Sequence, residues 1–302
     1  MTILITGIAG FIGSKVAEHF SKNGHEVIGV DDLSQGNINN IPKGVKFIEY
    51  DLSDNNVLDK LPNDCDYILH IAGQSSGEIS FDDPASDLTK NTLSTLNLIK
   101  YGIAKKVKKF LFASSMSVYG NVPNQAISES YLPSPISCYG ISKLTSERYL
   151  DIFKDKLPFI NLRMFNVYGP GQDLSNLRQG MVSIFLAQAL KKERVHVKGS
   201  LERFRDFIYI DDVVDAWYKL CLNDSKNISI NIGTGRRATI EELLLIIKKN
   251  IKGVNYFAEG STPGDQKGIY ADNTLLIKTI GKTKFTTIEN GIRTLCSSIN
   301  SN

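Results

Sequence analysis

The sequence predicts an α/β fold, a doubly wound parallel sheet carrying a smaller α/β domain. Three observations predict it. Short, nearly continuous apolar runs recur along the chain and alternate with stretches of helical period. Strands of that kind are buried on both faces, as in a parallel sheet covered by helices. A glycine-rich turn follows the first apolar run at once and opens the first helical stretch. The last third changes character. After a helical stretch at Glu241–Ile251, Asn255–Ile277 mixes short strand-like pieces with Gly and Pro.

The strand candidates, in order, are Ile3–Thr6, Glu26–Val30, Lys46–Glu49, Tyr67–Ile71, Lys109–Ser114, Phe159–Arg163 and Ile228–Ile232. Helical patterns lie at Ser14–Asn23, Asp87–Gly102 and Ser142–Phe153. Between the first strand and the first helix runs Gly7-Ile8-Ala9-Gly10-Phe11-Ile12-Gly13, a GxxGxxG turn. In that context the spacing reads as a dinucleotide site. Gly7 permits the tight turn, Gly10 lets a pyrophosphate approach the backbone, and Gly13 lets helix and strand pack closely. The phosphates then meet the helix N-terminus, where free N–H groups and the dipole favour negative charge. Phe11 and Ile12 belong to the same turn and are expected at the cofactor.

The second strand leads into Asp31-Asp32. An acid there accepts from ribose hydroxyls and repels a 2′-phosphate. Residues 33–42 contain no arginine to neutralise such a phosphate. NAD is therefore expected rather than NADP. Asp51-Leu52, just after the third strand, is expected to place the Asp51 carboxylate near the adenine amine.

Tyr139 and Lys143 stand four apart, so on a helix they share one face. A phenol with a pKa near about 10 is a poor base at neutral pH. A nearby ammonium and a cationic nicotinamide both favour the phenolate. Tyr139 can then remove a hydroxyl proton while hydride leaves the same carbon. Lys143 can also hold the nicotinamide ribose. Ser115, at the end of the fifth strand, is the candidate hydroxyl for the substrate oxygen. Ser114 and Ser117 are competitors, read as structural.

The bulk features exclude more than they identify. The 302 residues suit about two domain-sized units. Hydrophobic residues make up 42% and charged residues 22%, which excludes a disordered or fibrous chain. The net charge of +3 is too small to imply nucleic acid. No apolar run approaches the roughly 18 residues of a membrane span. The N-terminus lacks a signal-peptide pattern, and the four dispersed cysteines read as reduced thiols, so a cytoplasmic location is expected. His19, His25, His70 and His196 show no metal-ligand spacing, and no metal is expected. The basic run Lys105, Lys106, Lys108 and Lys109 reads as a solvated helix end.

These motifs together closely resemble the extended short-chain dehydrogenase/reductase superfamily, in its nucleotide-sugar epimerase branch, UDP-galactose 4-epimerase-like. The resemblance spans nearly the whole chain. It rests on Ile5–Ser14, Asp31-Asp32-Leu33-Ser34 with Gly36, His70-Ile71-Ala72-Gly73-Gln74, Asn91, Ser114–Gly120, Tyr139–Lys143, Arg163–Gly171, Arg205–Asp212, Asn231–Gly235 and Pro263-Gly264-Asp265. It implies a Rossmann domain, residues 1–165 with 205–235 returning to it. A nucleotide-sugar domain would comprise 166–204 and 236–302. Ala72, Gly73, Gln74 and Asn91 are implied as further cofactor contacts. The implied reaction begins when Tyr139 takes the sugar 4-hydroxyl proton and C4 hydride moves to NAD, leaving a 4-keto sugar. In epimerases the sugar turns over and the hydride returns to the other face. A homodimer is implied, paired through helices near Asp87–Gly102 and Ser142–Phe153.

Relatives that dehydrate or decarboxylate the sugar carry an acid just after the catalytic serine, whereas this chain has Met116 and Ser117. That leaves a 4-epimerase, or a 4-dehydrogenase or 4-ketoreductase with the same three residues. For the substrate, the resemblance implies Arg205 and Asn166 at the diphosphate, with Ser75 and Ser76 near the sugar. Val182, Phe185 and Val195 would flank the base, unless they are plain core. Asp265 is implied as a substrate contact, but Thr262 stands where many relatives have an arginine before Pro-Gly-Asp. Glu78 follows Ser75-Ser76-Gly77 and reads as a solvated loop acid or a sugar contact.

Overall fold

The computed structural model describes residues 1–178, 180–192, 194–261 and 266–300. Its centre is a seven-stranded sheet: β1 Thr2–Thr6, β2 Glu26–Asp31, β3 Lys46–Glu49, β4 Tyr67–His70, β5 Lys109–Ser115, β6 Phe159–Met164 and β7 Ile228–Ile232. The order is β7-β6-β5-β4-β1-β2-β3, and every pairing is parallel. All seven strand candidates enter this sheet. The order reverses between β1 and β4, and the carboxyl ends at such a point form the ligand crevice of a doubly wound fold.

Alternation of side chains explains why the strands read as continuous apolar runs. Ile3 and Ile5 enter one core with Leu111 and Ala113, beneath the helices Phe11–Lys22 and Ile210–Leu222. Leu4 points the other way, into a second core with Phe110, Phe112, Leu98 and Tyr101. Successive strand residues face opposite sides, so both faces of each strand must be apolar.

The helices depart from expectation mainly at their starts. The helix expected at Ser142–Phe153 runs Cys138–Ile152. Ser137 caps it by accepting from the Gly140 N–H at 3.1 Å. The stretch expected at Asp87–Gly102 begins at Pro84, capped by Asp83. It then passes through a π-turn at Thr89–Leu93 before resuming as Ser94–Ala104. The glycine turn leads into its helix at Phe11 rather than Ser14.

Lys109 corrects the reading of the basic run as wholly solvated. It is buried, and its ammonium donates to the carbonyls of Leu220, Cys221 and Asn223. It therefore closes the C-terminal end of Ile210–Leu222, where orphan carbonyls favour a cation.

Outside the sheet, short parallel pairs join Asn166–Tyr168 to Phe207–Tyr209 and Val195–Lys198 to Tyr256–Glu259. Helices Met181–Leu190, Ile240–Asn250 and Ile288–Asn300 complete this half. Among the described residues, no helix is long and apolar enough to cross a membrane.

Candidate active site

The glycine turn is built as its spacing demands. Gly7 has φ +70° and donates to the Val30 carbonyl at 2.8 Å. A Cβ on Gly7 would lie 2.7 Å from the Ala72 nitrogen, and one on Gly13 would lie 2.0 Å from the Gly7 carbonyl oxygen. Gly10 occupies the cap position of Phe11–Lys22 with no side chain to satisfy the first-turn N–H groups. That is the cradle an anionic pyrophosphate needs. Phe11 and Ile12 are partly buried against the core beneath it.

At the end of β2, Asp31 accepts from the N–H groups of Ala9, at 3.0 Å, and Leu33, at 2.9 Å. Burial pushes its carboxyl above the ordinary value, and the two N–H groups oppose that shift. Lys90 bridges Asp32, at 2.6 Å, and Asp51, at 2.7 Å. Burial would raise both carboxyls, but Lys90 holds them below their usual range. Leu52 is buried, and its carbonyl accepts from Asn97 at 3.1 Å.

The second focus lies where β4 and β5 end. Gly73 has φ +142°, and a Cβ there would sit 2.4 Å from Asn91 Oδ1 and 3.3 Å from Lys143 Nζ. Ala72 beside it packs against the second core. Asn91 is fully buried; its Nδ2 donates to Asp87 at 3.0 Å, and its Oδ1 has no hydrogen-bond partner among the described residues. Gln74 was expected at the cofactor, but its amide turns inward to Asp87, at 3.0 Å, and the Ser76 carbonyl, at 2.8 Å.

Ser115, Tyr139 and Lys143 converge here. Lys143 is buried, with Nζ 5.7 Å from the Tyr139 ring centroid and 5.0 Å from that of Phe112. Burial pushes the Tyr139 phenol up to about 12, while a hydrogen bond with Ser115 pulls it down. Burial draws Lys143 down to about 8, opposed by the charge of Asp87. Asp87 is the member that the sequence reading missed. It is buried and accepts from Ser142 at 2.7 Å as well as from Gln74 and Asn91. Its four-residue spacing to Asn91 was the available signal. Ser114 is structural: it donates to Glu147, which holds Arg163 at 2.7 Å in a buried ion pair.

The expected substrate residues divide. Arg205 is buried and donates to the carbonyls of Phe204, at 2.7 Å, and Gln266, at 2.9 Å. Burial, with Arg203 adding to it, lowers its guanidinium to about 10. Asn166 donates to the Asp206 carbonyl at 3.3 Å. Ser76 donates to the Arg178 carbonyl at 3.0 Å, and Ser75 lies beside it in the chain. Val182, Phe185 and Val195 are 2%, 4% and 0% exposed, with side chains packed in the main core. Their side chains therefore follow the plain-core alternative, since core packing leaves little surface for a base. Glu78 is not simply solvated; it pairs with Lys198 at 3.0 Å and Arg178 at 3.9 Å. Thr262 and Asp265 lie outside the described residues.

A Rossmann sheet, a glycine cradle and a serine–tyrosine–lysine group at one crevice define a dinucleotide-dependent enzyme of the extended short-chain dehydrogenase/reductase class. The chain belongs to the NAD dependent epimerase/dehydratase family, whose model matches residues 3–233. It is 35% identical over 253 residues to a putative UDP-glucose 4-epimerase of Methanocaldococcus jannaschii, covering 82% of each chain. The solved UDP-glucose 4-epimerase of Thermotoga maritima, with UDP-glucose, superposes with a TM-score of 0.93 at 35% identity, over 100% of this chain and 99% of that one. The Thermus thermophilus UDP-glucose 4-epimerase complexed with NAD gives 0.92 at 31% identity, over 99% of each.

The residues present fit NAD. The Gly7–Gly13 cradle would take the pyrophosphate and Asp31 the adenosine ribose, while Gly73, Asn91 and Lys143 would border the nicotinamide end. The buried Asn91 oxygen, without a hydrogen-bond partner among the described residues, is a ready acceptor there.

Proposed function

We propose that the protein is a nucleotide-sugar 4-epimerase that uses NAD and a transient 4-keto sugar. The observation that carries this reading is the meeting of Ser115, Tyr139 and Lys143 at the crevice, with Met116 and Ser117 where a second chemical step would need an acid. Tyr139, as phenolate, takes the proton of the sugar 4-hydroxyl. Ser115 hydrogen-bonds to that oxygen and to the phenol. Lys143 stabilises the phenolate and holds the nicotinamide ribose. Bound NAD would supply reversible hydride acceptance from C4. Once the sugar presents its other face and C4 regains its hydride, Tyr139 returns the proton to the carbonyl oxygen, which becomes the new hydroxyl. Catalysis by a positioned acid–base of this kind contributes about 10²–10⁴-fold.

The substrate half, residues 166–204 and 236–302, takes the nucleotide. Arg205, with Arg203 nearby, and Asn166 hold the diphosphate, where cations and amide donors are best used. Ser75 and Ser76 border the sugar. Two copies pair through the helical stretch over Asp87–Gly102 and through Cys138–Ile152, the helix expected at Ser142–Phe153. Supporting that, Ile141, Tyr149 and Ile152 expose an apolar stripe at 52%, 37% and 75%, and Leu88 is 51% exposed.

The test is incubation with UDP-, GDP-, CDP- and dTDP-sugars, following absorbance at 340 nm and product configuration together. Epimers interconverted at C4 without net NADH are expected. Stoichiometric NADH with a keto product would replace this reading with the 4-dehydrogenase or 4-ketoreductase.

A further inference from the structure

Residues 32–42, which follow β2, carry no cation, yet the fold supplies one from far along the chain. Lys90 stands in the π-turn Thr89–Leu93, a distortion often found at functional sites. Its ammonium lies 2.6 Å from Asp32 Oδ2 and 2.7 Å from Asp51 Oδ2. The other oxygen of each carboxylate closes a local turn. Asp32 Oδ1 accepts from the Ser34 N–H and hydroxyl at 3.0 and 2.6 Å. Asp51 Oδ1 accepts from the Ser53 N–H and hydroxyl at 2.9 and 2.7 Å. Each acid is thus oriented by its own loop and presents one oxygen to Lys90. Asp31 keeps apart, engaged by Ala9 and Leu33. Three acids and one lysine therefore meet at the adenosine end. A lysine so placed is chemically suited to a 2′-phosphate, the group NADP adds.

We infer that the Asp32–Lys90–Asp51 bridge is a determinant of NAD over NADP. The two acids hold the ammonium between the loops and withhold it from a 2′-phosphate, while the ammonium ties the loops together as walls of the adenosine pocket. Preference for NAD then rests on a captive cation as well as on repulsion by Asp31. The inference takes adenosine to lie at Asp31.

The test measures dissociation constants of NAD and NADP for the intact protein by titration calorimetry at one fixed ionic strength. The charges are partly exposed and salt would screen them. In Asp32→Asn/Asp51→Asn the ammonium is released, and the ratio of NADP to NAD affinity is expected to rise about tenfold or more. Adding Lys90→Met should remove most of that rise. A ratio, unlike either affinity alone, is insensitive to general loosening of the pocket. The single variant Asp51→Asn should show a smaller rise in the same direction. An unchanged ratio in the double variant, or the same rise with and without Lys90, would overturn the inference. Asp31→Ala, expected to weaken NAD, checks the placement separately. If it left NAD affinity untouched, adenosine would lie elsewhere and the inference would fail on that ground, leaving the sugar chemistry unaffected.

Discussion

A tyrosine that must ionise and a lysine that must stay charged share one turn of helix, and burial opposes both. The phenol is pushed up to about 12 and the ammonium down to about 8. The Ser115 hydrogen bond favours the phenolate, as a neighbouring ammonium and a bound cationic nicotinamide would, whereas the charge of Asp87 keeps Lys143 protonated. Tyr139→Phe should reduce turnover by about 10²–10⁴-fold while leaving NAD affinity near that of the parent. Near-normal turnover in that variant would mean another group is the base. Lys143 also carries a stability prediction. Its folded pKa of about 8 lies below the ordinary 10.5, so the unfolded chain binds this proton more tightly. The buried charge destabilises the fold below pH 8, and that penalty fades as pH rises from 8 to 10.5. Lys143→Met should raise the melting temperature at pH 7 while abolishing turnover, and the gain should shrink at pH 10. A lower melting temperature at pH 7 would show that its contacts outweigh its charge. Of these residues, Ser115, Tyr139 and Lys143 were legible because their chemistry imposes a spacing and a place after a strand. Lys90 was not, because Asp32 and Asp51 are brought to it only by the fold, and Asp87 showed only its spacing to Asn91, since its partner Ser142 also comes from far along the chain.

The elements position these residues through backbone constraints more than through side chains. Gly13 is the sharpest case, with the Gly7 carbonyl 2.0 Å from where a Cβ would stand. Gly13→Ala must shift either the turn or the helix. Overpacking of this kind costs about 1–3 kcal/mol. The variant should melt lower and bind NAD at least about tenfold more weakly, read by calorimetry and cofactor titration. Parent-like affinity would show that the turn can relax. The strands were legible to within a residue or two because burial on both faces leaves a plain apolar signature. Helix starts were less so. Gly140 and the nearby prolines mask the beginning of Cys138–Ile152, and Ser137 acts as a cap only through the geometry it adopts. The π-turn left no periodic trace, because one extra residue shifts the pattern without erasing it.

Over the whole molecule, the sheet and the half outside it are interleaved along the chain. Strand β7 returns beside β6 after the chain has passed through part of the half outside the sheet. Contacts from Ser76 and Glu78 to Arg178 and Lys198 join the loops beyond β4 to that half. The fold class was open to reading because glycine spacing and strand burial are local properties. The base pocket was not: Val182, Phe185 and Val195 look the same in sequence whether they face a ligand or a core. What the arrangement as a whole must do is remove hydride from a sugar C4 and return it to the same carbon. The direct measurement is a nucleotide-sugar deuterated at C4, incubated with the purified protein and NAD in ordinary water. The C4 epimer should form with deuterium retained at C4 and no lasting rise at 340 nm. An epimer that has lost its deuterium to solvent, or a keto sugar that accumulates with reduced cofactor, would contradict the account.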